Sequence, residues 1–126
     1  MVHSTLKIIS VLAVPALALS VPAFAQTGGT KPIYGAIAYS VTKGNVGYAW
    51  NKATRAVASQ GAIDECKASD CRVVTEFWGR CGALAVGSKG YGAAHGETQA
   101  AAERAALTTC GSRTESCKVV RWVCSK

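Results

Sequence analysis

The chain spells one pattern twice. Gly35-Ala-Ile-Ala returns as Gly82-Ala-Leu-Ala, Lys43-Gly44 as Lys89-Gly90, Thr54-Arg-Ala as Thr98-Gln-Ala, and Cys71-Arg-Val-Val as Cys117-Lys-Val-Val, in the same order. A repeat of this length is one supersecondary unit, too small to bury its own apolar face, so two copies closing on each other make the smallest self-sufficient core. The expected organisation is therefore a single domain over residues 34–126, built from repeats 34–79 and 80–126.

Within each repeat the signals come in one sequence. Tyr34 to Val41 and Val46 to Trp50 flank the turn cluster Thr42-Lys43-Gly44-Asn45, which reads as a hairpin. Thr54 can cap a helix running to Cys66, with Ala56, Ser59, Ile63 and Cys66 spaced along one face. Cys71 to Trp78 then carries Val73, Val74, Phe77 and Trp78 without glycine or proline, as a strand does. The second copy runs in parallel: Cys81 to Gly87 a strand, Ser88-Lys89-Gly90 the turn, Tyr91 to His95 a strand, Thr98 the cap, an alanine-rich helix from Gln99 to Cys110, and Cys117 to Cys124 the closing strand. The fold class expected is α+β, two tandem β-β-α-β repeats with a largely antiparallel sheet and two short helices.

Residues 1–25 read as a targeting signal. Lys7 precedes the apolar run Ile8 to Leu19, which is shorter than the roughly 20 residues of a spanning helix, and Ala23-Phe24-Ala25 supplies a small-residue cleavage pattern. Residues 26–33, with their Gly, Thr and Pro, read as a flexible leader. The expected product is secreted or periplasmic and meets the membrane only through the signal before cleavage. The sequence carries 14 Lys+Arg against 7 Asp+Glu, a net charge of +7 that favours solubility and acidic partners.

All 6 cysteines lie beyond the signal, and an even count in a small exported chain reads as three disulfides. The duplication restricts the pairing. Cys66 and Cys71 stand where Cys110 and Cys117 stand in the second copy, so each pair should close locally. Cys81 and Cys124 are left to form a long-range staple. A zinc site is not expected, because the chain has no C-x-x-C pair and His95 is the one histidine beyond the signal.

Tyr34-Gly-Ala-Ile-Ala-Tyr39, Ala49-Trp50, the Cys66…Cys71-Arg-Val-Val spacing, Arg80-Cys-Gly-Ala-Leu-Ala and the final Trp122-Val-Cys124 together resemble the bacterial family catalogued as domain of unknown function 4189, which includes small exported proteins of mycobacteria. The resemblance covers essentially everything after the signal. It implies export, disulfides and one domain, and it brings no catalytic residues and no substrate.

The residues themselves name no reaction, and no catalytic residue or cofactor is expected. Nucleophilic catalysis needs a nucleophile with an orienting base. His95, before Glu97, is the one histidine available, and it falls where a strand hands over to a helix, a place for a cap or turn. A glycosidase pair drawn from Asp64, Glu65, Asp70, Glu76, Glu97, Glu103 and Glu115 would have to face across a cleft. Gly87-Ser88-Lys89-Gly90-Tyr91-Gly92 lacks the spacing of a phosphate loop and reads as turn glycines. The aromatics Tyr34, Tyr39, Tyr48, Trp50, Phe77, Trp78, Tyr91 and Trp122 interleave with basic residues but are expected in the core, and nucleic acid is not expected as a partner.

The reading that fits is a disulfide-stapled binding module that recognises or inhibits an extracellular or periplasmic protein. The alternative is binding of an anionic envelope polymer through basic residues, and a hydrolase comes third. Both repeats place a lysine before the turn glycine, Lys43 and Lys89, which folding does not require. With Arg80 and Arg121 these are the candidates for a basic docking surface for an acidic partner, against the plainer reading that the lysines are solvated turn residues that blunt edge pairing.

Overall fold

The computed structural model describes residues 33–126; the signal expected over 1–25 and the leader expected over 26–33, apart from Ile33, lie outside the described residues. The chain runs β1 (Tyr34–Tyr39), β2 (Val46–Lys52), α1 (Arg55–Cys66), β3 (Arg72–Trp78), β4 (Cys81–Val86), β5 (Tyr91–Gly96), α2 (Gln99–Gly111) and β6 (Lys118–Cys124). This is α+β with the β-β-α-β unit present twice. The strands form two separate antiparallel sheets, ordered β2-β1-β3 and β5-β4-β6.

Each helix begins where a threonine closes its first turn. Thr54 accepts a hydrogen bond from the Val57 N–H and Thr98 from the Ala101 N–H, both at 3.1 Å. The faces laid on the sheets are Ala58, Ala62 and Cys66 in α1 and Ala102, Ala106 and Cys110 in α2. The stripe expected for α1 was rotated from this: Cys66 is buried, Ser59 and Ile63 are half-buried, and Ala56 is exposed. Alanines lie on several sides of α1, so hydropathy contrast does not orient it.

Close approach to the sheet orients it instead. A Cβ at Gly47 would overlap the Ala62 carbonyl oxygen and the Cys66 nitrogen, and one at Gly92 would overlap the Cys110 nitrogen and the Ala106 oxygen. The helix backbones therefore rest directly on β2 and β5. Gly92 lies in the strand expected over Tyr91 to His95, and its packing role comes from this close approach and not from the turn.

The opposite faces of the sheets meet. Ile37, Tyr39, Phe77, Leu84 and Val123 form a core between them, and the Phe77 ring fills the space left by Gly35 and Gly82. The result is four layers, helix, sheet, sheet, helix. The central strands β1 and β4 are buried on both faces, which explains why Tyr34–Tyr39 and Cys81–Val86 show no polar alternation. β1 packs on β4, β3 beside β5, and β2 beside β6. Exchanging the repeats maps this arrangement onto itself, so the halves are related by an approximate two-fold axis.

The disulfides join Cys66 to Cys71, Cys110 to Cys117 and Cys81 to Cys124, the pairs implied by the duplication. Cys81 and Cys124 are register partners on β4 and β6. The equivalent partners in the first repeat, Tyr34 and Trp78, are an aromatic pair with ring centroids 6.4 Å apart. The hairpins diverge too. The first loop, 40–45, is longer than the second, 87–90, so β1 stops at Tyr39 and Val41 is exposed. Gly44 adopts φ 73°, in the left-handed region, while Gly90 turns the second hairpin without entering it.

Candidate functional site

The connection from β3 to β4 is a short turn through Gly79 and Arg80. It is fixed by hydrogen bonds from the Gly79 N–H to the Ile33 carbonyl at 3.1 Å and from the Ser125 N–H to the Arg80 carbonyl at 2.9 Å. Beside it, at the seam of β3 and β5, lies an open cleft of about 350 Å³. Tyr34 and Trp78 come from the first sheet, Arg55 from α1, Glu76 from β3, Arg80 from the turn and His95 from β5.

Its polar side chains are held in order. Glu76 accepts a hydrogen bond from the Ser59 hydroxyl at 2.8 Å through Oε1 and faces Arg55 Nε at 3.4 Å through Oε2. The Arg55 and Glu76 side chains are 72% and 38% exposed, so this pair orients the groups more than it stabilises the fold. Arg80 Nη1 lies 3.1 Å from His95 Nδ1. A guanidinium only donates, so His95 accepts as the neutral ring carrying its proton on Nε2. His95 is thus a strand residue facing a cleft, neither cap nor turn. Trp78 closes one side and is 51% exposed.

The opposite seam, between β2 and β6, is aromatic. The Arg121 guanidinium lies 4.5 Å from the Tyr48 ring centroid, and Tyr48 stacks on Trp50 at 5.6 Å. Trp50 and Trp122 are 49% and 45% exposed. Of the aromatics expected inside, Tyr39 and Phe77 are buried, but all three tryptophans stand half-open, each on an edge strand of its sheet.

The hairpin tips lie at the far end of the sheets. Tyr39 and Tyr91 meet edge to face at 5.2 Å, and Lys43 and Lys89 are exposed beyond them. Asp70 clamps the first tip. It accepts from the Ser40 hydroxyl, and from the Thr42 hydroxyl and N–H at 2.8 and 3.2 Å, and these bonds hold its carboxyl down at about 2. In the second repeat Thr114 does the same work without charge, accepting the Lys89 N–H at 2.8 Å.

The four cations expected to form one surface are dispersed. Arg80 precedes β4 and Lys89 follows it, about 20 Å apart at the usual strand rise. Arg121 lies on β6 against Tyr48, at a different seam from Arg80. Among the described residues no three His, Cys, Asp or Glu side chains gather as metal ligands, and no helix is long and apolar enough to cross a membrane.

Residues 34–124 match the family model described as Domain of unknown function (DUF4189). The chain belongs to this family. Among the relatives of this DUF4189 protein is Protein Rv1269c of Mycobacterium tuberculosis, 46% identical over 79 residues, which are 63% of this chain and 62% of that protein. Another is Uncharacterized protein Rv1813c of Mycobacterium tuberculosis, 40% identical over 92 residues, 73% of this chain and 60% of the relative. The DUF4189 chain thus spans about three fifths of the length of the curated relatives it matches. The NMR structure of Rv1813c has a similar fold, with TM-score 0.60 and 38% identity over 75% of this chain and 76% of that one.

Of the cleft residues, sequence reasoning singled out Arg80 for partner binding, weighed Glu76 only as one of seven carboxylates and Tyr34 and Trp78 only as core aromatics, and passed over Arg55. One signal was available. Aligning the repeats places Glu76 opposite Trp122, Trp78 opposite Cys124, Tyr34 opposite Cys81 and His95 opposite Trp50. Where two copies of one fold disagree, the fold does not dictate the residue.

Proposed function

We propose that this DUF4189 protein is an exported binding module that recognises an extracytoplasmic protein and masks or inhibits it, without catalysing a reaction. The observation that supports this is the half-exposure of Trp50, Trp78 and Trp122 on edge strands, two of them neighboured by arginines. Trp, Tyr and Arg dominate the energetic centres of protein interfaces, and a scaffold held by three disulfides loses little conformational freedom on docking. The disulfides also suit an oxidising, extracytoplasmic compartment.

The test is capture by folded protein from extracellular and envelope fractions, repeated with Trp50→Ala and Trp78→Ala. A specific protein retained by the wild type, and at least tenfold less by one folded variant, is the expected result. The net charge of +7 favours one second reading, an anionic envelope polymer. Retention of polymer that collapses between about 50 and 200 mM salt, with no protein captured, would favour that reading instead.

A further inference from the structure

We propose that the cleft between β3 and β5 binds a monoanionic carboxylate attached to a flat apolar group. This deepens the binding reading, and rests on it, by naming the chemistry that one of its surfaces takes.

The charge of the cleft sets the ligand's charge. Arg55 and Arg80 bring two positive charges, Glu76 removes one, and the neutral His95 adds none, so one positive charge remains to be balanced. Glu76 already spends one oxygen on the Ser59 hydroxyl and the other on Arg55 Nε. His95 takes one donor from Arg80. A guanidinium has five N–H donors in a planar fork, so both arginines keep donors that no described residue takes, in the geometry that matches a carboxylate. A phosphate dianion would leave negative charge beside Glu76.

The second half of the ligand follows from Trp78. Its ring is half-exposed, pairs with Tyr34 at 6.4 Å and borders the arginines. A flat group stacked there would place its carboxylate toward the guanidinium groups, and about 350 Å³ accommodates a ring of this kind. The other seam shows that the fold does not need this arrangement. There the equivalent positions hold Trp122, Cys124 and Trp50, and the same sheets stack without the acid, the histidine or a counterpart of the Tyr34–Trp78 pair, whose place the disulfide takes.

The experiment is an NMR titration of the oxidised protein with benzoate, following the Trp78 indole N–H. Benzyl alcohol supplies the ring without the charge, and acetate the charge without the ring. Benzoate should shift the Trp78 signal saturably, with Kd on the order of 1 mM for so small a ligand, and each control should bind at least tenfold more weakly. Arg80→Gln should weaken benzoate at least tenfold. Glu76→Gln, which removes the competing charge, should tighten it several-fold, a change of sign that a merely structural role would not give. The unchanged remainder of each spectrum reports an intact fold. Equal shifts with benzyl alcohol, or unaltered affinity in both variants, would overturn the proposal. Benzoate that releases a captured protein places the carboxylate on that partner. Benzoate binding with no protein captured leaves a free small acid as the ligand and removes the protein-recognition reading alone.

Discussion

Asp70 does in the first repeat with one charge what Thr114 does in the second with a hydroxyl. Because its carboxyl is lowered from 3.8 to about 2, first by the Ser40 hydroxyl and then by Thr42, the folded protein prefers it ionised. Its contribution to stability is therefore complete above the unfolded value and is lost as pH falls through about 2. Asp70→Asn should lower the melting temperature at pH 7 and flatten the loss of stability between pH 4 and 2, measured by thermal unfolding across that range. Equal acid sensitivity in the variant would remove Asp70 from this role. Little of this was legible in advance, since Ser40, Thr42 and Asp70 are joined only when the β1–β2 loop folds over the turn before β3. The cleft residues were hidden for the same reason: Arg55, Glu76, Arg80 and His95 come from four different elements.

Among the elements, β4 and β6 are linked by a covalent bond where β1 and β3 are joined by the tilted Tyr34–Trp78 ring pair. The Cys81–Cys124 bond spans a sequence separation of 43, against 5 and 7 for the other two. On loop entropy its removal should cost about 4 kcal/mol, and that of either short ring about 2. Replacing Cys81 and Cys124 with serine should therefore lower urea stability more than replacing Cys66 and Cys71, and the reverse order would refute the entropic account. These pairings were readable because comparing two copies turns a long-range question into a local one. The Thr54 and Thr98 caps were readable because capping is chemistry within one turn. The orientation of α1 was not, because a helix whose candidate faces are alanine and serine is positioned by what Gly47 admits on the sheet, which no periodicity records.

At the scale of the molecule, the two repeats share one core. The Phe77 ring belongs to the first repeat and fills the gap over Gly35 and Gly82, one from each, and Ile37 and Leu84 are fully buried beside it. The protein should therefore unfold in one step, with far-UV and near-UV signals changing together in urea, and Phe77→Ala should cost about 4 kcal/mol without separating the halves. Two resolved transitions would mean that each repeat is stable alone. The approximate two-fold axis has another consequence. Two unlinked copies of a single repeat would meet through identical surfaces, and any group placed on one rim would be duplicated on the other. The turn through Gly79 and Arg80 lifts that obligation. One chain can then keep a charged mouth on one flank and an aromatic ledge on the other, which gives a nearly symmetric body a front and a back.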